Sequence, residues 1–409
     1  YGLAQSALDR FEYLAILLGT DFGSIISLGI GPIVLASLIL QLLAGAQVIN
    51  LNTKTPEGKK QFQAMQKLLT YVFIVFEAVV YVLMRGLQAV SGFEFLVILQ
   101  LIIGGILILF MDDVVQKWGF GSGISLFIAA GIGWRLFSQL FQFINAAGVF
   151  EASGKVLVLF TSIISGDLQG FSLALFAIVV TAVLFLLVVW AQSLKAEIPL
   201  SFDRLRGQGV RWPLQFFYTG VLPVILVSAL SANIQLIASL FQNWLGHATW
   251  LGGFSNGTPV SGLSYWISST PILQEIITGS FRWINAVQAI GHILFYTIFC
   301  ILFAYFWMKT SGQDASNQAK NILNSGLSMP GFRKDERVLE SILNRYIISL
   351  TVMGGAAIGL LASIADLFGA MVGGTAILLA VMILYQLYQN IAQQHAVDMN
   401  PAFRGMFGV

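Results

Sequence analysis

The sequence predicts an all-α polytopic membrane protein, and composition, hydropathy and charge distribution each support that fold class. Of the 409 residues, 57% are hydrophobic and only 10% are charged, and the mean hydropathy is +0.83. A soluble domain carries about 25% charged residues. The composition therefore excludes a disordered chain and a nucleic-acid binder, and the single cysteine excludes a disulfide scaffold.

Nine segments are predicted to cross the membrane, since each offers about 20 mostly apolar residues. They are 24–44, 67–90, 95–115, 122–146, 171–196, 217–241, 287–309, 343–364 and 374–391. Residues 1–23 precede them, and their helical centre over 7–18 would extend only about 18 Å. We expect an interfacial helix or a half-helix that enters the protein. Because the chain opens at Tyr1 rather than Met, we also expect residues upstream.

The distribution of Lys and Arg predicts the orientation of the spans. If loop 45–66 is cytoplasmic, 16 of the 21 basic residues lie on the cytoplasmic side. The other five are Arg10, Arg85, Arg135, Lys155 and Arg282. Two of the cytoplasmic loops, 198–216 and 310–342, are long and basic. Their charge fits either ordinary topological anchors or docking sites for a polyanion.

Several polar side chains fall within the predicted spans. Glu77 lies in segment 67–90. A charge inside the membrane costs at least about 2.5–3.5 kcal/mol, so this side chain should face protein or water. Ser231, Gln235 and Ser239 recur every four residues and form a polar stripe on one helix face, whereas Asn233 points elsewhere. The stripe fits either hydrogen bonding between helices or a face that meets water or a mobile neighbour.

The sequence offers little that predicts catalysis, a metal or a cofactor. The three histidines are too scattered to suggest a metal site. The stretch 253–257 matches G-x-S-x-G, but it lies in a predicted extracytoplasmic loop rather than between a strand and a helix. We therefore predict no catalytic residues, no metal, no cofactor and no enzyme activity.

A series of collinear motifs resembles SecY, the channel subunit of the Sec protein translocon, in its archaeal type. The motifs include Leu28-Gly29-Ile30-Gly31-Pro32, Gly121-Ser122-Gly123-Ile124-Ser125, Glu197-Ile198-Pro199-Leu200, Ala232-Asn233-Ile234-Gln235 and Gly331-Phe332-Arg333-Lys334. The resemblance covers essentially the whole chain.

The resemblance implies a bundle of ten spans in two pseudo-symmetric halves around a pore. The nine segments would then be the second to tenth spans, and residues 1–23 would be the plug that seals the outer funnel. Residues 24–168 would form the N-terminal half with spans two to five, and residues 169–391 the C-terminal half with spans six to ten. Residues 392–409 would be a cytoplasmic tail.

The resemblance also implies the functional residues. The pore would be closed by a ring of six apolar side chains: Ile30, Val34, Ile124, Ile128, Ile225 and Leu379. Glu77, Asn233 and Gln235 would be polar residues of a lateral gate between spans 24–44 and 217–241, although Leu35 stands where the family usually has Thr. The ribosome or a motor would dock on Arg204, Arg206, Arg211, Arg333 and Lys334.

The implied function is a passive protein-conducting channel in the cell membrane. It would pass secretory polypeptides and release transmembrane segments sideways into the lipid bilayer. Its partners would be a SecE-like subunit, a small one-span subunit of the beta or SecG type, signal peptides and nascent chains. Two alternatives are a secondary transporter of a small solute, which needs a polar mid-membrane site, and an intramembrane hydrolase, for which the sequence lacks a plausible nucleophile.

Overall fold

The computed structural model describes residues 24–45, 48–49, 55–84, 87, 89–119, 122–143, 153–202, 209–255, 258–325, 327–328 and 335–399. The predicted plug and most of the C-terminal tail lie outside these residues. Within them, eight helices are long and apolar enough to cross a membrane. These are α2 (Pro56–Leu83), α3 (Glu94–Trp118), α4 (Gly123–Phe141), α6 (Leu168–Ser193), α7 (Leu222–Leu245), α10 (Trp283–Thr310), α12 (Glu336–Leu367) and α13 (Gly374–Met399).

The first predicted span is only partly helical. Residues 24–30 form turns, and α1 (Gly31–Gly45) begins at the Gly-Pro sequence. Gly29 adopts a φ of 56°, a left-handed conformation that glycine tolerates best. Pro32 follows in the first turn of the helix, where its missing N–H costs nothing. The fifteen residues of α1 extend about 22 Å, so its status as a ninth span stays a prediction.

Four short helices connect the long ones. They are α5 (Lys155–Ser165), α8 (Gly262–Ile267), α9 (Ile272–Thr278) and α11 (Ala315–Asn324). Helix α5 lies between the predicted spans 122–146 and 171–196, where no helix is predicted from the sequence. The next helix, α6, starts at the Asp167 side chain, which accepts hydrogen bonds from the backbone N–H groups of Gln169 and Gly170.

Among the described residues, two small antiparallel sheets complete the fold. β1 (Lys195–Phe202) pairs with β2 (Gly209–Gln215) and, on its other edge, with β5 (Leu327–Ser328). β3 (Gly253–Ser255) pairs with β4 (Thr258–Ser261). The first sheet packs on α10, α11 and α12 through a cluster that includes Ile198, Leu214 and Leu343. It therefore unites the two basic loops of the sequence analysis.

The largest apolar cluster lies between the long helices. It draws residues from α1, α3, α4, α6, α7, α10, α12 and α13. Helix α7 is the most enclosed of the eight long helices described, whereas α4 and α6 have the smallest shares of buried residues. Helix α13 contacts α4, α6, α7 and α12, and α7 also contacts α1. The core therefore sits around α7 and α13.

Candidate functional site

The six side chains predicted to form a pore ring lie in or against one buried apolar cluster. Five of them are at most 6% exposed, and Ile124 packs against the cluster from its edge. They come from the turn before α1 (Ile30), from α1 (Val34), from α4 (Ile124 and Ile128), from α7 (Ile225) and from α13 (Leu379). The structure therefore gathers the set from four helices. Its role as a ring stays a prediction.

The local backbone explains why these side chains point together. Ile124 and Ile128 are four residues apart on α4 and share one helix face. The backbone N–H of Val34 donates to the Ile30 carbonyl at 3.0 Å, which places this pair one helical turn apart as well. Each pair therefore presents two branched aliphatic side chains in the same direction.

A cavity of about 350 Å³ borders this cluster at Ile225. Among the described residues that line it there is no Asp, Glu, Lys or Arg, and most of their polar groups are amides and hydroxyls. They belong to Ser122, Ser125, Gln215, Tyr218, Thr219, Gln313, Gln386 and Asn390. The Tyr218 hydroxyl donates to the Gln313 carbonyl at 2.6 Å and joins two sides of the cavity. A cavity with both polar and apolar lining residues thus adjoins the apolar cluster.

A second cavity of about 360 Å³ lies near the opposite end of α13. Gly373 lines it beside the start of that helix, and Gln139, Lys155 and Asp366 contribute polar groups. The predicted orientation puts this cavity on the extracytoplasmic side and the first one on the cytoplasmic side. Polar cavities therefore lie near both ends of a helix that contributes to the apolar cluster.

The predicted lateral gate corresponds to a contact between α1 and α7. Beside it, a second apolar cluster brings Tyr81 of α2 together with Ala232 and Leu236 of α7. Leu35, at the position where the family usually has Thr, is half-buried on α1. Both helices of the seam also contribute to the largest apolar cluster, which includes Ile33 of α1 and Val224 of α7.

The polar gate candidates do not bond to one another within the described residues. Glu77 is 8% exposed, and its Oε1 atom lacks a hydrogen-bond partner there. Asn233 donates to the Ala229 carbonyl at 2.8 Å, and Gln235 donates to the Ser231 hydroxyl at 3.2 Å. The polar stripe of α7 is thus buried, and these bonds stay within its own helix.

One of the five docking candidates lies in the described part of the chain. Arg211 is exposed on β2 and forms an ion pair of 2.9 Å with Glu197 of β1. Arg204, Arg206, Arg333 and Lys334 lie outside the described residues.

The described residues show the surroundings of the G-x-S-x-G stretch at 253–257 and the distribution of metal-binding side chains. Ser255 ends β3, and the strand that follows it is β4 rather than a helix, unlike a nucleophile elbow. Among the described residues, no group of three or more His, Cys, Asp and Glu side chains could hold a metal ion.

Sequence reasoning missed two buried aspartates, Asp112 and Asp366. They are 4% and 8% exposed and lie near the ends of α3 and α12, the helices that precede α4 and α13. A signal was available: each is a carboxylate at the end of an apolar span, and glycines open the next span at Gly123 and Gly374.

Comparison with known proteins identifies the family. The SecY family profile matches residues 24–388. The protein translocase subunit SecY of Methanothermobacter thermautotrophicus is 43% identical, over 100% of this chain and 89% of that protein. The SecY subunit of Haloferax volcanii is 37% identical, over 100% of this chain and 90% of that protein.

Solved structures agree with this result. A protein-conducting channel superposes with a TM-score of 0.83 and 35% identity, covering 98% of this chain and 89% of the other. Sec61 in a canine ribosome–channel complex from the endoplasmic reticulum gives a TM-score of 0.80 and 34% identity, with the same coverage. This chain belongs to the SecY family of membrane-embedded protein translocase subunits.

Proposed function

We propose that the chain is the central subunit of a protein-conducting channel in the cell membrane. The observation that carries this proposal is the gathering of six branched aliphatic side chains from four helices next to a cavity that is partly lined by polar side chains. Such side chains offer no hydrogen bond to water or ions, so a narrow neck of them dewets and blocks leakage. They can separate around an extended polypeptide without binding a particular sequence.

The seam between α1 and α7 would be the lateral gate. Both helices contribute to the largest apolar cluster, and Glu77 lies buried in the adjacent α2, where its Oε1 atom has no hydrogen-bond partner among the described residues. Apolar packing between helices is matched by contacts with lipid tails, so opening such a seam toward the bilayer is inexpensive. Signal peptides would enter, and transmembrane segments would leave, along this seam.

Partners would supply the driving force, and the chain itself would not be an enzyme. The sheet β2-β1-β5 unites the two basic loops, and Arg211 is exposed on it. This sheet and the cationic stretches at 203–208 and 329–334 would dock a ribosome or another motor through phosphate or carboxylate groups. Two small subunits, one SecE-like and one with a single span, would complete the channel.

A disulfide trap tests the pore. Cys300 is replaced by Ser, and one cysteine is placed at Val34 or Ile128 in the chain co-expressed with its small partner subunits. A stalled secretory polypeptide carrying its own cysteine is then offered. We expect a cross-link at both positions that depends on a functional signal peptide.

The matched control is Phe137→Cys on the same helix as Ile128. Phe137 is 59% exposed and lies nine residues along α4, half a turn around the helix. It should give no cross-link. Equal cross-linking at Phe137 and Ile128, or none at Val34 and Ile128 in an intact complex, would refute the pore assignment and reopen the solute-transporter hypothesis.

A further inference from the structure

The helix that carries Ile124 and Ile128 begins on a buried carboxylate from the preceding helix. The backbone N–H of Ile124 donates to Asp112 Oδ1 of α3 at 3.0 Å. The Gln116 side chain donates to the other carboxylate oxygen at 2.7 Å, which holds the group in place. Free N–H groups at a helix start favour a negative charge. Asp112 thus fixes the first turn of α4 to the last turns of α3.

The helix that carries Leu379 begins in the same way. The backbone N–H of Thr375 donates to Asp366 Oδ1 of α12 at 3.1 Å, and the Thr375 hydroxyl donates to Oδ2. The Nε2 atom of His292 on α10 lies 3.5 Å from Oδ2, and the other ring nitrogen, Nδ1, donates to the Ile267 carbonyl at 2.6 Å. Asp366 thus fixes the first turn of α13 to the end of α12.

The two arrangements match in detail. In each, an aspartate near the end of one long helix accepts from the second residue of the next long helix. Leu379 lies four residues after Thr375, and Ile128 lies four residues after Ile124, so each cap is one turn from a candidate ring residue. Because α4 and α13 run in opposite directions in the predicted topology, the caps lie on opposite sides of the membrane.

Glycine at the first helical position makes this approach possible. A Cβ atom on Gly123 would lie 2.8 Å from both the Cα and Oδ1 atoms of Asp112. A Cβ atom on Gly374 would lie 2.5 Å from the Asp366 backbone nitrogen. Any larger residue would push the aspartate and the helix start apart.

We propose that Asp112 and Asp366 are positioning residues that set the depth of the ring side chains by holding the starts of α4 and α13. This inference rests on the proposed channel function. Each aspartate acts through the helix it caps and does not itself contact the polypeptide in transit.

The test measures ion conductance of the resting channel reconstituted in vesicles, in the full chain and in a variant lacking residues 1–23. Asp112→Ala and Gly123→Ala should each raise the leak about tenfold, because losing a bond to a charged group shifts an equilibrium by at least that order. The double variant should leak no more than either single variant, since both break the same cap. Asp112→Asn keeps one acceptor oxygen and should restore part of the seal.

Each test variant has a matched control variant of the same residue type. Asp113→Ala removes the neighbouring exposed ion pair with Lys67, and Gly133→Ala adds a Cβ on α4 that meets nothing within 4 Å. For the second cap, Asp366→Asn is compared with Asp335→Asn, another helix-capping aspartate at the opposite end of α12. The controls should not change the leak.

A leak in Asp112→Ala and Asp112→Asn equal to that of the controls would overturn the inference, even if the thermal midpoint fell, because the aspartate would then be only structural. Additive leaks in the double variant would also overturn it. Failure of the channel function itself would appear separately, as loss of signal-dependent cross-linking in the unmodified pore.

Discussion

Replacing Gly359 of α12 with Ala should loosen the tightest long-helix contact of the C-terminal region. An added Cβ would lie 2.7 Å from the Thr297 Cα atom and 2.8 Å from the Tyr296 carbonyl oxygen, both on α10. Gly355, one turn earlier, is also close, since its Cβ would lie 3.1 Å from the Cys300 carbonyl oxygen. The pair forms a G-x-x-x-G pattern, which lets two helices approach closely in a membrane.

The structure sets the size of the effect. Ordinary van der Waals contact begins at 3.4 Å, so the new methyl group is 0.7 Å too close to Thr297. The obstacles are backbone atoms, which cannot rotate away, so the two helices must separate. Overpacking of this kind costs about 1–3 kcal/mol. The higher helix propensity of Ala returns about 1 kcal/mol, which leaves a net loss of up to about 2 kcal/mol.

The assay is thermal unfolding of the purified complex in detergent, with Gly133→Ala as the matched control. Gly133 lies within α4, and a Cβ there meets nothing within 4 Å, so Ala should leave stability unchanged or raise it slightly. Gly359→Ala should lower the midpoint clearly. If Gly359→Ala, like the control, unfolds at or above the wild-type temperature, the close approach of α10 and α12 does not stabilise this helix pair.

Three further predictions concern the pore, the docking sheet and the polar cavity. Ile128→Ser should raise the ion leak through the resting channel in vesicles, because a hydroxyl group in the apolar neck can bind water. If the leak is unchanged even when residues 1–23 are also deleted, Ile128 is not part of the seal. Arg211→Glu should weaken ribosome binding and reduce its salt dependence, while Lys155→Glu on the opposite side should not; equal affinities in a salt titration would make Arg211 only a topological anchor. Tyr218→Phe should destabilise the complex by about 0.5–1.5 kcal/mol in thermal unfolding, through loss of its hydrogen bond to a backbone carbonyl; no loss would mean that water replaces the hydroxyl.

The long helices were predictable because hydropathy over about 20 residues is a strong, local signal. Eight of the nine predicted spans correspond to long helices in the described residues. The break at Gly29 and Pro32 was visible in the sequence, yet the predicted span 24–44 ran through it, and the helix starts only at Gly31. Helix α5 was missed because its eleven residues are too few to score as a span.

Long-range pairings were not predictable from the sequence. Ser201 pairs with Ser328 across more than a hundred residues, and a two-residue strand such as β5 carries no periodic signal of its own. The gathering of Ile124 with Leu379 followed only from family resemblance, because an isolated Ile or Leu in an apolar span looks like any other. The stripe on α7 was recognised, but pattern alone could not tell that Gln235 bonds within its own helix.

The sheet β2-β1-β5 determines to which helices a docked partner would be mechanically connected. Its apolar side rests on α10, α11 and α12, and Gln215 of β2 hydrogen-bonds to Gln389 of α13 at 3.1 Å. All of these described contacts involve residues after 168, in the predicted C-terminal half of the chain. A force applied by a partner at this sheet would therefore be transmitted first to α10, α12 and α13. It would reach α1 and α4 through the contacts of α1 with α7 and α10 and of α4 with α13. The sheet thus couples an external load to one side of the α1–α7 seam.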